Sequence, residues 1–420
     1  MNSSQPSSSQ ASSHFPLEPI PASILADKEA KRRDTVAALG ACKTGCAVID
    51  QDVLMGGFER ATVVGVSAED EELGVQLGLQ TLAHSLCEGT VTTGLVITPK
   101  PASVMLAGLR DAIKAELEVR EEFKDIKMRL RQCLDKVMLS CVFDLDGLWE
   151  VLADLDRSEP VQEEETENQD TATAHVEEIQ DSQEDDDEAF SPIRQASQPR
   201  PEKSPSKTPQ HPEVIVITHF SSLLTSLFTH REKSAAHTAL QLLGSHLHDL
   251  SRNLPSSPLI LLLNSTSSPF SGPTATATTT TSPAKQTTVD PTLRSIFNPP
   301  STTGYSTRRT KPNFGLVFSQ LLDLHLLCTK IPRTRQDAEA AVQRLGDEFR
   351  TAWAVEVLLD EMGVWEGKMG VRPGREQKWT AVDVEKGRVK PAFEEQEEEI
   401  PVPDTSELLY FKRLGGNSLA

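Results

Sequence analysis

The chain is poor in aromatic residues, with only two tyrosines and four tryptophans in 420 residues. It has little positive charge to spare. Forty-two Lys and Arg stand against 62 Asp and Glu, a net charge of −20. A protein that grips polyanions without regard to sequence needs a surplus of cations to neutralise phosphates, so that class is excluded for the chain as a whole. No run approaches 18 apolar residues, which excludes a membrane-spanning helix and membrane partners. The six cysteines, Cys42, Cys46, Cys87, Cys133, Cys141 and Cys328, sit mostly inside apolar runs, and the opening MNSSQPSSSQASSHF has no secretory pattern. Both features predict a soluble protein in a reducing compartment. Cys42 and Cys46 lack a second CxxC or a histidine at ligand spacing, so no metal is expected. There is no GxSxG, HExxH, GxGxxG or CxxC, which removes the common hydrolase, zinc-protease and dinucleotide readings.

The charge is unevenly spread. Between Val161 and Phe190 there are 13 Asp or Glu and no Lys or Arg, so the remainder carries only about −7. Residues 157–212 are acidic and then Ser/Pro/Lys-rich, and 265–312 are Ser/Thr/Pro-rich; neither can bury a core, and both are expected to be disordered insertions. Residues 1–20 are a Ser-rich tail and 391–420 an acidic one. The expected core is therefore in three pieces, 21–156, 213–264 and 313–390.

Within it, apolar periodicity predicts a helix over Ala22 to Leu39, then a strand at ATVVGVS, a polar AEDEE turn and a helix at LGVQLGLQTLAHSLC. GLVITPK (94–100) and KVMLSCVF (136–143) are further strands, with one long helix expected between them from about Ser103 to Leu134. DGLWEVLADL is a helix. EVIVITHF (213–220) and PLILLLN (258–264) are strands apolar throughout, as in the middle of a parallel sheet, and roughly 232–253 is a helix between them. Phe314 to Thr329 is expected to form a strand pair, and TAWAVEVLLDEMGVWEG and QKWTAVDV late strands. Alternating strands and helices predict an α/β fold with a parallel sheet covered on both faces.

In this order the segments resemble the RecA-type strand-exchange ATPases, in particular the eukaryotic recombinase paralogues, over roughly Gly40 to Asp383 with the insertions removed. TGCAVIDQDVLMGGFERATVVGVSAE (44–69) is similar to that family's entry into its first core strand, and VFDLDGLWEVL (142–152) to its third strand and following helix. EVIVIT (213–218) takes the place of the Walker B strand, and LILLLN (259–264) that of the strand ending in Asn before a DNA-binding loop. The resemblance implies a RecA-like fold with a nucleotide site at the strand ends.

At that site the sequence departs from the family. A phosphate loop needs glycines, a Lys and a Ser or Thr. Here Ala68 and Leu73 fall at the two glycines and Gly74 and Val75 at the Lys and Thr, with Glu69, Asp70, Glu71 and Glu72 between. Like charges about 4 Å apart repel by on the order of 4 kcal/mol at an effective dielectric near 20, which is hostile to a polyphosphate. As an alternative role, the four acids open a helix and offset its dipole. The Walker B carboxylate is replaced by Thr218, and the water-activating carboxylate by Lys100, which could instead face Glu69 to Glu72 as an internal cation. The reading is of a vestigial site (Ala68, Leu73, Gly74, Val75, Lys100, Thr218) with no cofactor, ATP and Mg²⁺ binding only in an unconventional way.

Arg308, Arg309 and Lys311, ending the second insertion, are candidates for contacting single-stranded DNA, with Phe270, Phe297 and Tyr305 nearby in sequence. The basic run Arg120, Lys124, Lys127, Arg129 and Arg131 reads as a solvated helix face. His230, His237, His246 and His248 lie in helices without ligand spacing. Asp144 and Asp146 read as caps, the four tryptophans as core or edge packing, and Ser191, Ser204 and Thr208 precede prolines. The function implied is that of a non-catalytic paralogue in homologous recombination, partnered by the recombinase and its paralogues in the nucleus. Two other classes stay open: a RecA-like ring subunit of an Elongator-type tRNA-modification complex, and a divergent DNA-dependent ATPase.

Overall fold

The computed structural model describes residues 20–120, 125–156, 211–267, 293–297, 310–343, 350–362 and 374–393. Most of the two insertions, and most of each tail, lie outside these residues.

The helix expected at the start is α1 (Ala22–Leu39), ended by Gly40 at φ 77°. It buries none of its residues, because its apolar positions Ile24, Leu25 and Leu39 form no continuous stripe. The entry segment then closes on itself. Cys42 and Phe58 form an antiparallel bridge around a single π turn, Ile49–Val53. The buried Asp50 carboxylate accepts hydrogen bonds from the Thr44 amide and hydroxyl (2.8 and 2.9 Å) and the Gly45 amide (3.2 Å).

The core follows as β1 (Val63–Ala68), α2 (Glu71–Glu88), β2 (Gly94–Thr98), α3 (Ala102–Val119), α4 (Ile126–Leu134), β3 (Val137–Cys141) and α5 (Leu145–Asp156). It resumes with β4 (Val214–Ile217), α6 (Phe220–His230), α7 (Lys233–Asn253) and β5 (Leu259–Ser267). Last come β6 (Lys311–Pro312), α8 (Gly315–Ser319), β7 (Leu324–Pro332), α9 (Arg335–Gln343), β8 (Thr351–Asp360), β9 (Trp379–Glu385) and β10 (Arg388–Pro391). The sheet order is β10-β9-β8-β7-β1-β5-β4-β2-β3, with β6 paired on the end of β5. From β3 to β7 the ladders are parallel; β8, β9 and β10 add an antiparallel meander.

The expected helix-flanked parallel sheet is thus the observed one, and strand alternation explains its two cores. In β5, Leu259, Leu261 and Leu263 face the layer of α2, α3 and α4, whereas Ile260 and Leu262 face that of α5, α6, α7 and α8. At about 25 cal/mol per Å² of apolar area withdrawn from water, these two layers are the main source of stability.

Two expectations need correction. The helix read from about Ser103 to Leu134 is two, α3 and α4. A straight helix of that length would run about 47 Å, more than twice the depth of a five-residue strand, and could not return to start β3. Phe314 to Thr329 is not a strand pair. Phe314 takes a left-handed backbone (φ 61°) and opens α8, whose Phe318 is buried with Leu321 and Leu322 under the sheet; only β7 is a strand. The region read as insertion 265–312 also contains ordered pairing. β5 runs on to Ser267, and Thr266 and Ser267 pair with Pro312 and Lys311.

Trp353 is buried, Trp149 and Trp379 are partly exposed, and Trp365 lies outside the described residues. Asp144 caps α5 by accepting from the Gly147 amide at 2.9 Å, and Asp146 pairs with Arg231 at 2.6 Å.

Candidate functional site

In an open parallel sheet, ligands bind beyond the carboxyl ends of the strands. Here those ends are Ala68 on β1, Thr98 on β2 and Ile217 on β4, with Asn264 near the end of β5.

Only Glu69 and Asp70 separate β1 from α2, and the turn satisfies itself. The Glu69 amide donates to the Cys328 carbonyl (2.9 Å), and its side chain accepts from the Lys330 amide (2.9 Å), which ties the turn to β7. Asp70 is the N-cap. Its side chain accepts from the Glu72 amide (3.1 Å) and its carbonyl from the Leu73 amide (3.1 Å). Glu71 accepts from the Ser221 hydroxyl at 3.1 Å, and Glu72 is exposed. Two of the first amide donors of α2, which in a phosphate loop would point at an anion, are therefore engaged by this chain's own Asp70.

The positions expected to form a vestigial site are mostly core. Ala68, Leu73 and Val75 are buried in the core, and a Cβ added at Gly74 would meet that of Ala68 at 3.4 Å, an ordinary contact. The Thr218 hydroxyl donates to that of Thr98 at 2.8 Å, so the ends of β2 and β4 hold a neutral hydroxyl pair, both members buried. Lys100 is exposed, and among the described residues no ion pair joins it to Glu69, Asp70, Glu71 or Glu72. The internal-cation arrangement is thereby corrected: solvent competes for a lysine outside the turn, while Glu69 and Asp70 accept from backbone amides and Glu71 from the Ser221 hydroxyl. Neither the donors nor the charges at this end of the sheet fit Mg²⁺ and a triphosphate.

Between the threonine pair and α6 sits His219, in the left-handed region at φ 52° and ψ 39°, a conformation that strains a non-glycine residue by about 1 kcal/mol or more. It is buried, and its Nδ1 has no hydrogen-bond partner among the described residues. Burial pushes its pKa down, the nearby Lys100 charge adds to this, and Glu71 and Glu72 oppose it.

Beside it runs a buried neutral network that sequence reasoning missed. The Asn264 side-chain amide donates to Ser67 Oγ (3.1 Å) and to the Asn313 carbonyl (3.2 Å). Ser67 Oγ lies 2.9 Å from His325 Nε2, and Ser319 Oγ 3.4 Å from His325 Nδ1. Burial pushes the His325 pKa down to about 3, so its ring is neutral. Ser67 and His325 are fully inaccessible, and a hydroxyl rather than a carboxylate backs the imidazole. That is a core contact and not a nucleophile with its base. A lone histidine inside the apolar run LHLLC was the available signal.

Of the candidate DNA contacts, Arg308 and Arg309 lie outside the described residues, as do Phe270 and Tyr305, while Lys311 is part of β6. The basic run divides between the end of α3 (Arg120) and α4 (Lys127, Arg129, Arg131), with Lys124 outside the described residues and Arg131 facing Asp135 at 4.0 Å. The histidines are separate. His237 meets the Phe228 ring, His246 stacks on Trp149, and His248 faces Asp323. Among the described residues no group of three His, Cys, Asp or Glu could hold a metal. No described helix is long and apolar enough to cross a membrane. Burial pushes the Cys42 and Cys46 thiols up to about 11, away from reactive thiolates.

The class defined by this geometry is an α/β protein with a central, mostly parallel sheet flanked by helices. No protein-family model matches the chain, and no curated protein does. Among solved structures it is similar to the crystal structure of the RadB recombinase, at 10% sequence identity and a TM-score of 0.42, over 84% of this chain and 100% of that one.

Proposed function

We propose that this chain is a non-catalytic relative of the RecA-type recombinases, acting in the nucleus as a scaffold or mediator in homologous recombination and double-strand break repair. The observation that carries the non-catalytic part is the β1–α2 turn. Its two residues leave no loop to wrap a phosphate, and Asp70 occupies the donors a phosphate would need. The Thr98–Thr218 hydroxyl pair supports it from the opposite strands, with no carboxylate for Mg²⁺. The recombination part rests on the family resemblance of 44–69, 142–152, 213–218 and 259–264.

On this reading the protein works by presenting surfaces to the recombinase and its paralogues. Single-stranded DNA would be met by the segment entering β6, which holds Arg308, Arg309 and Lys311. The test is to purify the tagged full chain from its own cells after DNA damage and identify what accompanies it. Recovery of a strand-exchange recombinase or its paralogues, together with damage sensitivity on deletion, is expected. Recovery of tRNA-modification subunits, or a translation defect without damage sensitivity, would overturn the recombination role. Separately, titration with labelled ATP and Mg²⁺ should give no saturable binding; tight binding abolished by changing Thr218 would overturn the non-catalytic reading.

A further inference from the structure

The two edges of the sheet differ in kind. β10 carries Arg388, Lys390 and Pro391, the charges and proline that keep an edge from recruiting another strand. β3 reads Val137, Met138, Leu139, Ser140, Cys141, with no charge and no proline, and among the described residues it is paired only with β2. Its side chains are only partly covered. Met138 is 43% exposed, and just beyond the strand Phe143 is 85% exposed, the highest fraction of any large apolar side chain among the described residues.

The backbone polarity of this edge follows from the ladder. The Gly94 amide donates to the Lys136 carbonyl, and the Val142 amide to the Thr98 carbonyl. In a parallel pair alternate residues face the neighbour, so 136, 138, 140 and 142 are committed to β2. The N–H and C=O groups of Val137, Leu139 and Cys141 point away from it, and among the described residues none has another backbone partner; Phe143 lies beyond the strand, in a bend.

We propose that this edge is an interface with a second copy of the same chain, the two β3 strands pairing antiparallel about a two-fold axis at Ser140. In that register Leu139 lies opposite Cys141 of the second copy, and Val137 opposite its Phe143. Leu139 and Cys141 turn their backbone groups outward, so their hydrogen bonds are made without disturbing β2. The same register sets Lys136 against the second copy's Asp144, twice by symmetry. Both side chains are exposed, and neither forms an ion pair within its own subunit among the described residues. Complementary charge at both ends, apolar contact next to it and matched backbone parity select a second copy over an unrelated strand. The interface joins two sheets into one and covers the exposed Phe143 ring.

Sedimentation equilibrium of the full chain should show a concentration-dependent dimer. K136E and D144K should each weaken it by about tenfold, since each change sets two like-charged pairs across the axis. An equimolar mixture of the two variants should recover the affinity, because the glutamate introduced in one then faces the lysine introduced in the other. C141P removes an outward amide without touching a bond to β2 and should abolish the dimer while circular dichroism keeps its folded melting transition. It keeps the test decisive if D144K, which loses the α5 cap, folds poorly. Ser140 faces its own copy in a close pair of about 4.5 Å between Cα atoms. Hence S140C, in a C141S background, should cross-link to a dimer on mild oxidation. A monomer at every concentration, or a dimer insensitive to K136E and C141P, would overturn the proposal. Capture of a strand from a different protein by a monomeric chain would count the same way.

Discussion

The two ends of the parallel sheet handle charge in opposite ways. At the amino ends, opposite charges are buried together. Arg60 is 2% exposed, pairs with Glu213 at the start of β4 (2.8 Å) and donates to the Thr90 carbonyl. Asp323, just before β7, accepts from the Val63 amide (2.8 Å) and faces Arg252 (3.2 Å) and His248 (3.4 Å). Near the carboxyl ends of β1, β2, β4 and β5 the interior holds polar, neutral clusters, the Thr98–Thr218 pair and the Asn264–Ser67–His325–Ser319 network, while the acids of the β1–α2 turn lie outside them. Buried ions demand partners, and the amino ends supply them. The lesson is that the paired buried ions of the sheet's amino ends serve stability, whereas the clusters around Thr218 and His325 at the other end are held by neutral hydrogen bonds.

That comparison can be broken most sharply at Arg60. Arg60→Ala leaves Glu213 with only the Thr92 amide and hydroxyl and should lower the free energy of unfolding by about 3 kcal/mol, read as a lower urea midpoint at unchanged slope. Thr218→Asp puts a carboxylate into the neutral end, against Thr98 and facing the Glu71 side; it should lower stability by about 2 kcal/mol or more, and it should not create nucleotide binding.

The pH dependence separates the ends by sign. His325 has its folded pKa pushed down to about 3, so unfolding takes up a proton below the ordinary histidine value near 6.5. Its share of stability is present above about 6.5 and is lost on acidification, by about 1.4 kcal/mol per pH unit down to about 3. His248 has its pKa raised by its hydrogen bond to Asp323, so its share is full below about 6.5 and is lost as the pH rises through the folded value. Asp323, held below the ordinary carboxylate range by His248 and the Val63 amide against its own burial, contributes above its unfolded value and loses that share in acid. Denaturation of His325→Asn across pH 4–8 should flatten the acid limb. His248→Gln should flatten the limb above 6.5 and, by removing a bond that holds Asp323 low, also reduce that residue's loss in acid.

Asp323→Asn keeps an acceptor for Val63 but discharges the pair to Arg252 and His248, and a loss of about 1–2 kcal/mol is expected in thermal or urea melts. At the bottom of the scale, Glu72→Gln at the exposed acidic turn should leave the urea midpoint unchanged. A large shift there would mean that the acidic turn is structural in a way its hydrogen bonds do not account for.

Most of the fold was legible because its strands are apolar on both faces and its helices carry regular stripes. β4 and β5 announce a parallel sheet, and Leu240, Leu243, Leu247 and Leu250 mark the buried face of α7. What was misread was misread for local reasons. The break after Val119 carries no glycine or proline, and α8 is five residues long, too short for helical periodicity to register. At the candidate site, the residue types at Ala68, Leu73, Lys100 and Thr218 were legible. The neutral network beside them was not, because Ser67 and His325 are 258 residues apart and meet only across the β1–β7 ladder.

The sequence by itself determined the fold class, the lack of phosphate-loop residue types and the places where the core is interrupted, since each depends on residue type and local order. Only the tertiary structure decided that Asp70 caps α2 and binds its free amides, that Lys100 stays outside the acidic turn, that two threonines meet at the ends of β2 and β4, and that among the described residues β3 is paired on one side only. Those are facts of pairing between segments distant in the chain, and nothing in local propensity encodes which distant partner a side chain will meet.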